Sequence, residues 1–334
     1  MYLVESNTIA IVFSILSMLC WGSWVNSQKI AAKSWRFELF YWDYNLGLLL
    51  TAAIFAFTLG NLPNSSGGFP ENITGASLSN IGSCLLGGLI FNISNILMVM
   101  AVAVAGMAVA VPVTVGIALV LGVIINYIGA PAGNPVWIFT GVFFVVISII
   151  FNALAYRGKA ANANHKILKG LLLSVSSGVL MGFFYRFVAR TMPEDFTLIL
   201  LPGQLSPYTA VFIFIAGIFI SNFVLNTLIM KKPIEGSPVH YRDYFGGNIK
   251  NHLAGIVGGV IWCMGMMFNV LGGAKAGFAI SYGLGQGAVI IAALWGIFIW
   301  KEFKEAPKKS YIYLTLMFAM FSIGVLCLIL ARYL

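Results

Sequence analysis

Long apolar runs separated by short polar connections fill almost the whole chain. Ten of them follow one another: Asn7 to Ser27, Leu39 to Gly60, Leu78 to Val102, Met107 to Ile128, Pro135 to Tyr156, Ile167 to Arg190, Pro207 to Met230, Ile249 to Leu271, Gly277 to Trp300 and Ser310 to Arg332. A helix needs about 20 apolar residues to cross the hydrocarbon core of a bilayer, and every run meets that length. β-Branched residues are abundant, but the runs are too long and too uniformly apolar for the alternating strands of a membrane barrel. The pattern predicts an all-α integral membrane protein with ten transmembrane helices.

The runs also repeat. A shift of 171 residues lays Gly87-Gly88 on Gly258-Gly259, Phe91 on Trp262, Gly106 on Gly277 and Gly116 on Gly287, and a shift of 160 lays Ser17 on Ser177, Trp24 on Phe184 and Asn26 on Arg186. Two halves, 1–160 and 161–334, follow within one membrane domain. Five spans is an odd number, so the halves enter the membrane from opposite sides, as in the inverted repeats of secondary transporters.

Composition narrows the class. Of 334 residues 60% are hydrophobic and 9% charged, against roughly 25% charged in a soluble domain, which leaves no room for a soluble domain. The net charge of +9 does not point to nucleic acid, because the basic residues cluster in alternate connections. Lys29, Lys33, Arg36, Arg157, Lys159, Lys166, Lys169, Lys231, Lys232, Arg242, Lys250, Lys301, Lys304, Lys308 and Lys309 fall on one side, and only Arg190, Lys275 and Arg332 on the other. The positive-inside rule makes the rich side cytoplasmic, giving a multi-pass inner (plasma) membrane protein with both termini outside. The start, Met1-Tyr2-Leu3-Val4-Glu5, lacks the positive n-region of a cleaved signal, so the first run is read as a retained helix. Cys20, Cys84, Cys263 and Cys327 lie within apolar runs, without metal-ligand spacing. No cofactor or metal is expected. Asn64-Ser65-Ser66 and Asn72-Ile73-Thr74 match the glycosylation sequon and are read as chance.

The opening Met1 to Ser6, with the stretch from Gly87 through Asn95 and Gly106 to Val113-Thr114-Val115-Gly116-Ile117-Ala118 and Asn126-Tyr127, resembles the plant ureide permeases. Cys20-Trp21-Gly22-Ser23-Trp24 with Lys29 and Lys33-Ser34-Trp35, and Leu294-Trp295-Gly296-Ile297-Phe298 before Lys301-Glu302-Phe303, are similar to the bacterial glucose/ribose porters and rhamnose-proton symporters. Both groups belong to the drug/metabolite transporter superfamily, so the resemblance implies ten helices in two inverted halves. It also brings proton coupling as an expectation. One departure stands out. Plant ureide permeases carry a long central loop with a phosphate-loop-like sequence, whereas here the connection runs only from Arg157 to Lys166, and no Gly-x-x-x-x-Gly-Lys-Ser/Thr occurs in the chain.

Polar residues inside spans serve either helix packing or substrate contact. Asn92 and Asn95 stand three apart on one face near the middle of the third helix, where amides can replace a solute's water. Tyr282 and Gln286 lie four apart in a glycine-rich part of the ninth. Trp21 and Trp262 are too deep for an interfacial belt and could stack on a solute ring, whereas Trp42, Trp137 and Trp300 lie near span ends. Arg186 is the one basic residue within a span; it either snorkels outward, fixes a substrate carbonyl or pairs with Glu5. No acid lies at mid-membrane, so Asp43 and Glu5 are the candidate coupling groups. Pro112 removes a backbone donor early in the fourth helix and suits a gating kink, or a packing kink.

These readings combine into a secondary transporter of a small neutral polar solute, a ureide, nucleobase-like compound or monosaccharide, working by alternating access. Expected partners are that solute, protons as a candidate coupling ion and membrane lipids, in a monomer or homodimer. An integral-membrane enzyme is the alternative from another class, but His165, His240 and His252 sit at loops without a ligand motif. A channel would need a repeated polar stripe or charged ring.

Overall fold

A computed structural model describes residues 1–31, 34–62, 68–157, 167–194, 200–233, 236–304 and 306–334. Lys33, Lys159, Lys166, His165, Asp195, Glu235, Glu305 and the Asn64 sequon lie outside the described residues. Among the described residues ten helices are long and apolar enough to cross a membrane. They are α1 (Asn7–Ser23, continued by Val25–Ala31), α2 (Phe37–Phe57), α3 (Leu78–Ala105), α4 (Met107–Gly129), α5 (Pro135–Arg157), α6 (Ile167–Ala189), α7 (Pro207–Lys231), α8 (Ile249–Ala276), α9 (Phe278–Gln286, Ala288–Leu294 and a π-turn Trp295–Ile299) and α10 (Lys308–Tyr333). Their bounds lie within a few residues of the apolar runs, the largest extension being five residues at the end of α8. Short helices Phe69–Thr74 and Tyr241–Phe245 lie in the connections before α3 and α8.

Local chemistry sets where the helices start. Ser6, Ser77, Ser206 and Asn248 cap α1, α3, α7 and α8, each side chain accepting a backbone N–H three residues on. Gly106 (φ 80°) and Gly277 (φ 93°) alone separate α3 from α4 and α8 from α9. That backbone region is open to glycine at little cost, so each pair of helices turns back without a loop.

Both termini lie at one end of the bundle, where Thr8 meets Tyr333 and Arg332 donates to Asn7. The described residues Lys29 and Glu302 of the lysine-rich connections pair at the other. α3 packs on α6 and α7, α8 packs on α1 and α2, α4 and α9 lie against α6 and α1 respectively, and α5 packs along α10. Glycine permits the two closest crossings. A Cβ at Gly88 would lie 2.2 Å from the Phe214 carbonyl oxygen of α7, and one at Gly259 2.1 Å from that of Tyr44 in α2, so backbones touch there, as small residues allow in membranes.

Candidate solute-binding site

α1, α3, α4 and α9 leave a cavity between them. A vestibule of about 490 Å³ starts at the lysine-rich end, flanked by Lys29, Trp300 and Glu302, and runs past Asn26, Asn152 and Pro112. Trp24, Met98 and Val111 also line a deeper pocket of about 150 Å³ beside it, walled by Trp21, Phe91, Asn95, Met181, Trp262 and Gln286. Among the described residues no charged side chain lines the deep pocket. Aromatic rings of its wall pack on one another and on Phe214: Phe91 lies 4.7 Å from Trp262 and 5.0 Å from Phe184, which lies 5.5 Å from Phe214. Nearer the terminal end Asn269 donates to Ser17 Oγ (3.1 Å) and the Ser281 carbonyl (2.8 Å), while Ser281 returns a bond to the Asn269 carbonyl at 2.6 Å. This ties α1, α8 and α9 together.

The indoles are brought together as their depth suggests. Trp21 stacks on Trp262 with ring centroids 5.7 Å apart and 22° between planes, and its Nε1 donates to the Trp262 carbonyl oxygen at 3.3 Å. Asn95 shares the pocket and donates from Nδ2 to Tyr41 Oη at 3.1 Å. Asn92, one turn away, faces other helices: its Oδ1 accepts from Tyr41 Oη at 2.8 Å, and its Nδ2 donates to Ser221 Oγ at 2.9 Å and the Ile218 carbonyl at 3.2 Å. Gln286 is in the pocket wall. Tyr282 is fully buried outside it, its hydroxyl donating to the Met181 carbonyl at 2.9 Å. Asn92 and Tyr282 are therefore helix-packing contacts in this arrangement.

Arg186 is also outside the cavity. Its Nη2 donates to the Gly129 carbonyl at 2.8 Å, tying α6 to the terminal end of α4, and among the described residues no ion pair joins it to Glu5, which is exposed. Pro112 stands in the vestibule wall on its helix face. Trp300, by position a belt residue, instead donates to Asn26 Oδ1 at 2.6 Å beneath Lys29, whose Nζ lies 4.5 Å from its ring; Lys29 also pairs with Glu302.

Asp43 is 1% exposed and does not line the cavity. Its carboxylate accepts from Tyr244 Oη (2.7 Å) and Trp35 Nε1 (3.3 Å), and pairs with His252 Nδ1 at 2.9 Å. Burial, then the Asp43 carboxylate beside it, raises the Tyr244 hydroxyl above its ordinary pKa, so this donor stays protonated. Sequence reasoning missed the pairing with His252, because the two residues are 209 apart and share no motif. Trp24, three residues from Trp21 on the same helix, lines the pocket with it.

The ureide permease family model matches residues 40–171 and 159–331. The chain belongs to the ureide permease family. The family is one of transporters, not enzymes, and the chain is a multi-pass membrane protein. Ureide permease 1 of Arabidopsis thaliana is 24% identical, with 97% of each chain covered, and ureide permease 2 of the same plant is 25% identical, with 96% of each covered. A solved crystal structure at 15% identity superposes with a TM-score of 0.61 over 98% of this chain and 99% of that one, a likeness of fold. The two family-model matches meet at the central connection, where this ureide permease family member is short.

Proposed function

We propose that the protein carries a small neutral polar solute of the ureide or nucleobase-like kind across the plasma (inner) membrane. The observation that carries this reading is the deep pocket: uncharged, of about 150 Å³, and furnished with amides and indoles. Such a wall exchanges the water of a neutral polar ring for directed hydrogen bonds, without stranding a charge in a dry interior. The names of the plant relatives point the same way. With the lysine-rich end cytoplasmic by the positive-inside rule, the cavity opens inward and the Asn269 cluster closes the outside.

The halves 1–160 and 161–334 are inverted repeats that rock about the site. Support comes from the packing, since exchanging α1–α5 with α6–α10 carries the α3 neighbours onto those of α8, and from Gly106 and Gly277, which turn the chain alike at opposite ends. Of the two candidate coupling acids Asp43 is the enclosed one, and with His252 it forms the proton-coupling pair. Counterflow in liposomes with labelled allantoin, uracil and glucose tests the reading. Allantoin or uracil should exchange and glucose should not. In the Asp43→Asn variant exchange should persist while proton-driven accumulation is lost. Counterflow of glucose alone overturns the solute class, and unchanged accumulation by Asp43→Asn overturns the coupling.

A further inference from the structure

In the deep pocket the indole N–H groups of Trp24 and Trp262 have no acceptor among the described residues. Around the cavity, Trp21 donates to the Trp262 carbonyl, Trp295 to Ser23 Oγ at 2.9 Å and Trp300 to Asn26 Oδ1. Trp24 and Trp262 line the pocket and are only 6% and 5% exposed, yet neither indole N–H meets an acceptor among the described residues, and neither nitrogen is among the fully buried polar atoms that lack a partner. An indole nitrogen only donates, and buried donors are normally paired. These two donors are therefore free for what fills the pocket.

The rings around Trp262 decide which part of it a solute can use. Trp21 stacks on it at 5.7 Å, Phe91 lies at 4.7 Å, and Phe214 is nearly parallel to it at 6.4 Å. With three protein rings packed against it, the part of Trp262 that the site is read to use is the edge that carries its N–H. Trp24 stands where the vestibule meets the pocket, its ring 4.9 Å from Tyr44. Asn95 has committed its Nδ2 to Tyr41, which leaves an amide oxygen as acceptor in the same wall.

We infer that Trp24 and Trp262 are specificity-determining donors, each directing its indole N–H at a carbonyl oxygen of the solute, while the Asn95 oxygen accepts from a ring N–H. The proposal rests on the reading of the cavity as a solute site and deepens it: the site selects neutral cyclic amides and ureas by their carbonyl oxygens. Hydroxyl-bearing solutes lack the flat alternation of acceptor and N–H donor that this wall matches.

Trp24→Phe and Trp262→Phe keep a ring and delete the donor. Binding of labelled uracil and allantoin to purified protein in nanodiscs is measured for the parent, both variants and Trp137→Phe as control, with 2-thiouracil and 4-thiouracil as competitors, since sulfur is the poorer acceptor. Each donor deletion should weaken binding by roughly tenfold, the scale of one hydrogen bond to a buried partner, and should abolish the preference for oxygen over sulfur at one ring position. Trp137→Phe should change neither. Parent protein that binds uracil and both thio analogues equally overturns the proposal without reference to any variant. So does unchanged affinity and preference in both Phe variants, which would leave the ureide reading standing. Parent protein that binds glucose and none of the carbonyl compounds overturns both.

Discussion

Asn92 and Asn95 are one turn apart, equally polar and equally deep, yet they do different work. Asn92 spends its amide on α2 and α7, whereas Asn95 keeps one oxygen for the pocket. Deleting Asn92 removes the acceptor of the fully buried Tyr41 hydroxyl, which keeps only the bond that it accepts from Asn95, a cost of about 1–3 kcal/mol. Asn92→Ala should therefore lower the thermal unfolding temperature while solute affinity at a temperature where the protein is folded stays within about threefold of the parent, and Asn95→Ala should do the reverse, weakening affinity by roughly tenfold. Thermal shift and equilibrium binding on the same preparations separate the two. Equal affinity losses would place both amides in the site. The spacing that put both residues on one helix face was legible in the sequence. The line between cavity and neighbour that divides this face was not, because it depends on how α3 is rotated against α2 and α7.

At the scale of the element, the two ends of the bundle are closed by different chemistry. At the terminal end Arg186 bridges α6 to the Gly129 carbonyl of α4; at the lysine-rich end Trp300 bridges α9 to Asn26 of α1. The sequence shifts of 160 and 171 lay Asn26 on Arg186 and Gly129 on Trp300, so the two bridges occupy corresponding positions. A hydrogen bond to a charged donor contributes about 1.5–3 kcal/mol. If it forms only while the terminal end is closed, its loss shifts the open population by about tenfold or more. Arg186→Ala should thus speed labelling of a cysteine at Ser17, fully buried in the closed arrangement, by a reagent added from the terminal side. Labelling no faster than in the parent would make Arg186 a packing contact alone. The helix itself was legible from length and hydropathy, and the snorkelling, cavity and Glu5 readings of Arg186 all remained open there. Its partner proved to be a backbone carbonyl, which carries no residue signature.

For the whole molecule, charge asymmetry gives the clearest test. Phe245 belongs to the lysine-rich end and Leu78 to the terminal end, and both are exposed. With Cys20, Cys84, Cys263 and Cys327 replaced, an impermeant thiol reagent added to intact cells should label a cysteine at position 78 and reach one at position 245 only after permeabilisation. The opposite pattern reverses the orientation and turns the vestibule outward.

The ten spans, their order and the charge contrast between the two ends follow from sequence alone. A chain in hydrocarbon satisfies its backbone within each helix, so length and hydropathy over a local window suffice to find it. Depth along a span is equally local, and it identified Trp21 and Trp262 as neighbours of a cavity. Rotation about the helix axis is not local. Only the packed bundle decided that Trp262 stacks on Trp21, that Asn92 turns away from the pocket, and that Asp43 meets His252 across 209 residues. These are contacts between different helices, set by glycine-permitted crossings and ring packing, and apolar spans of nearly uniform hydropathy carry little that marks which face each one turns inward.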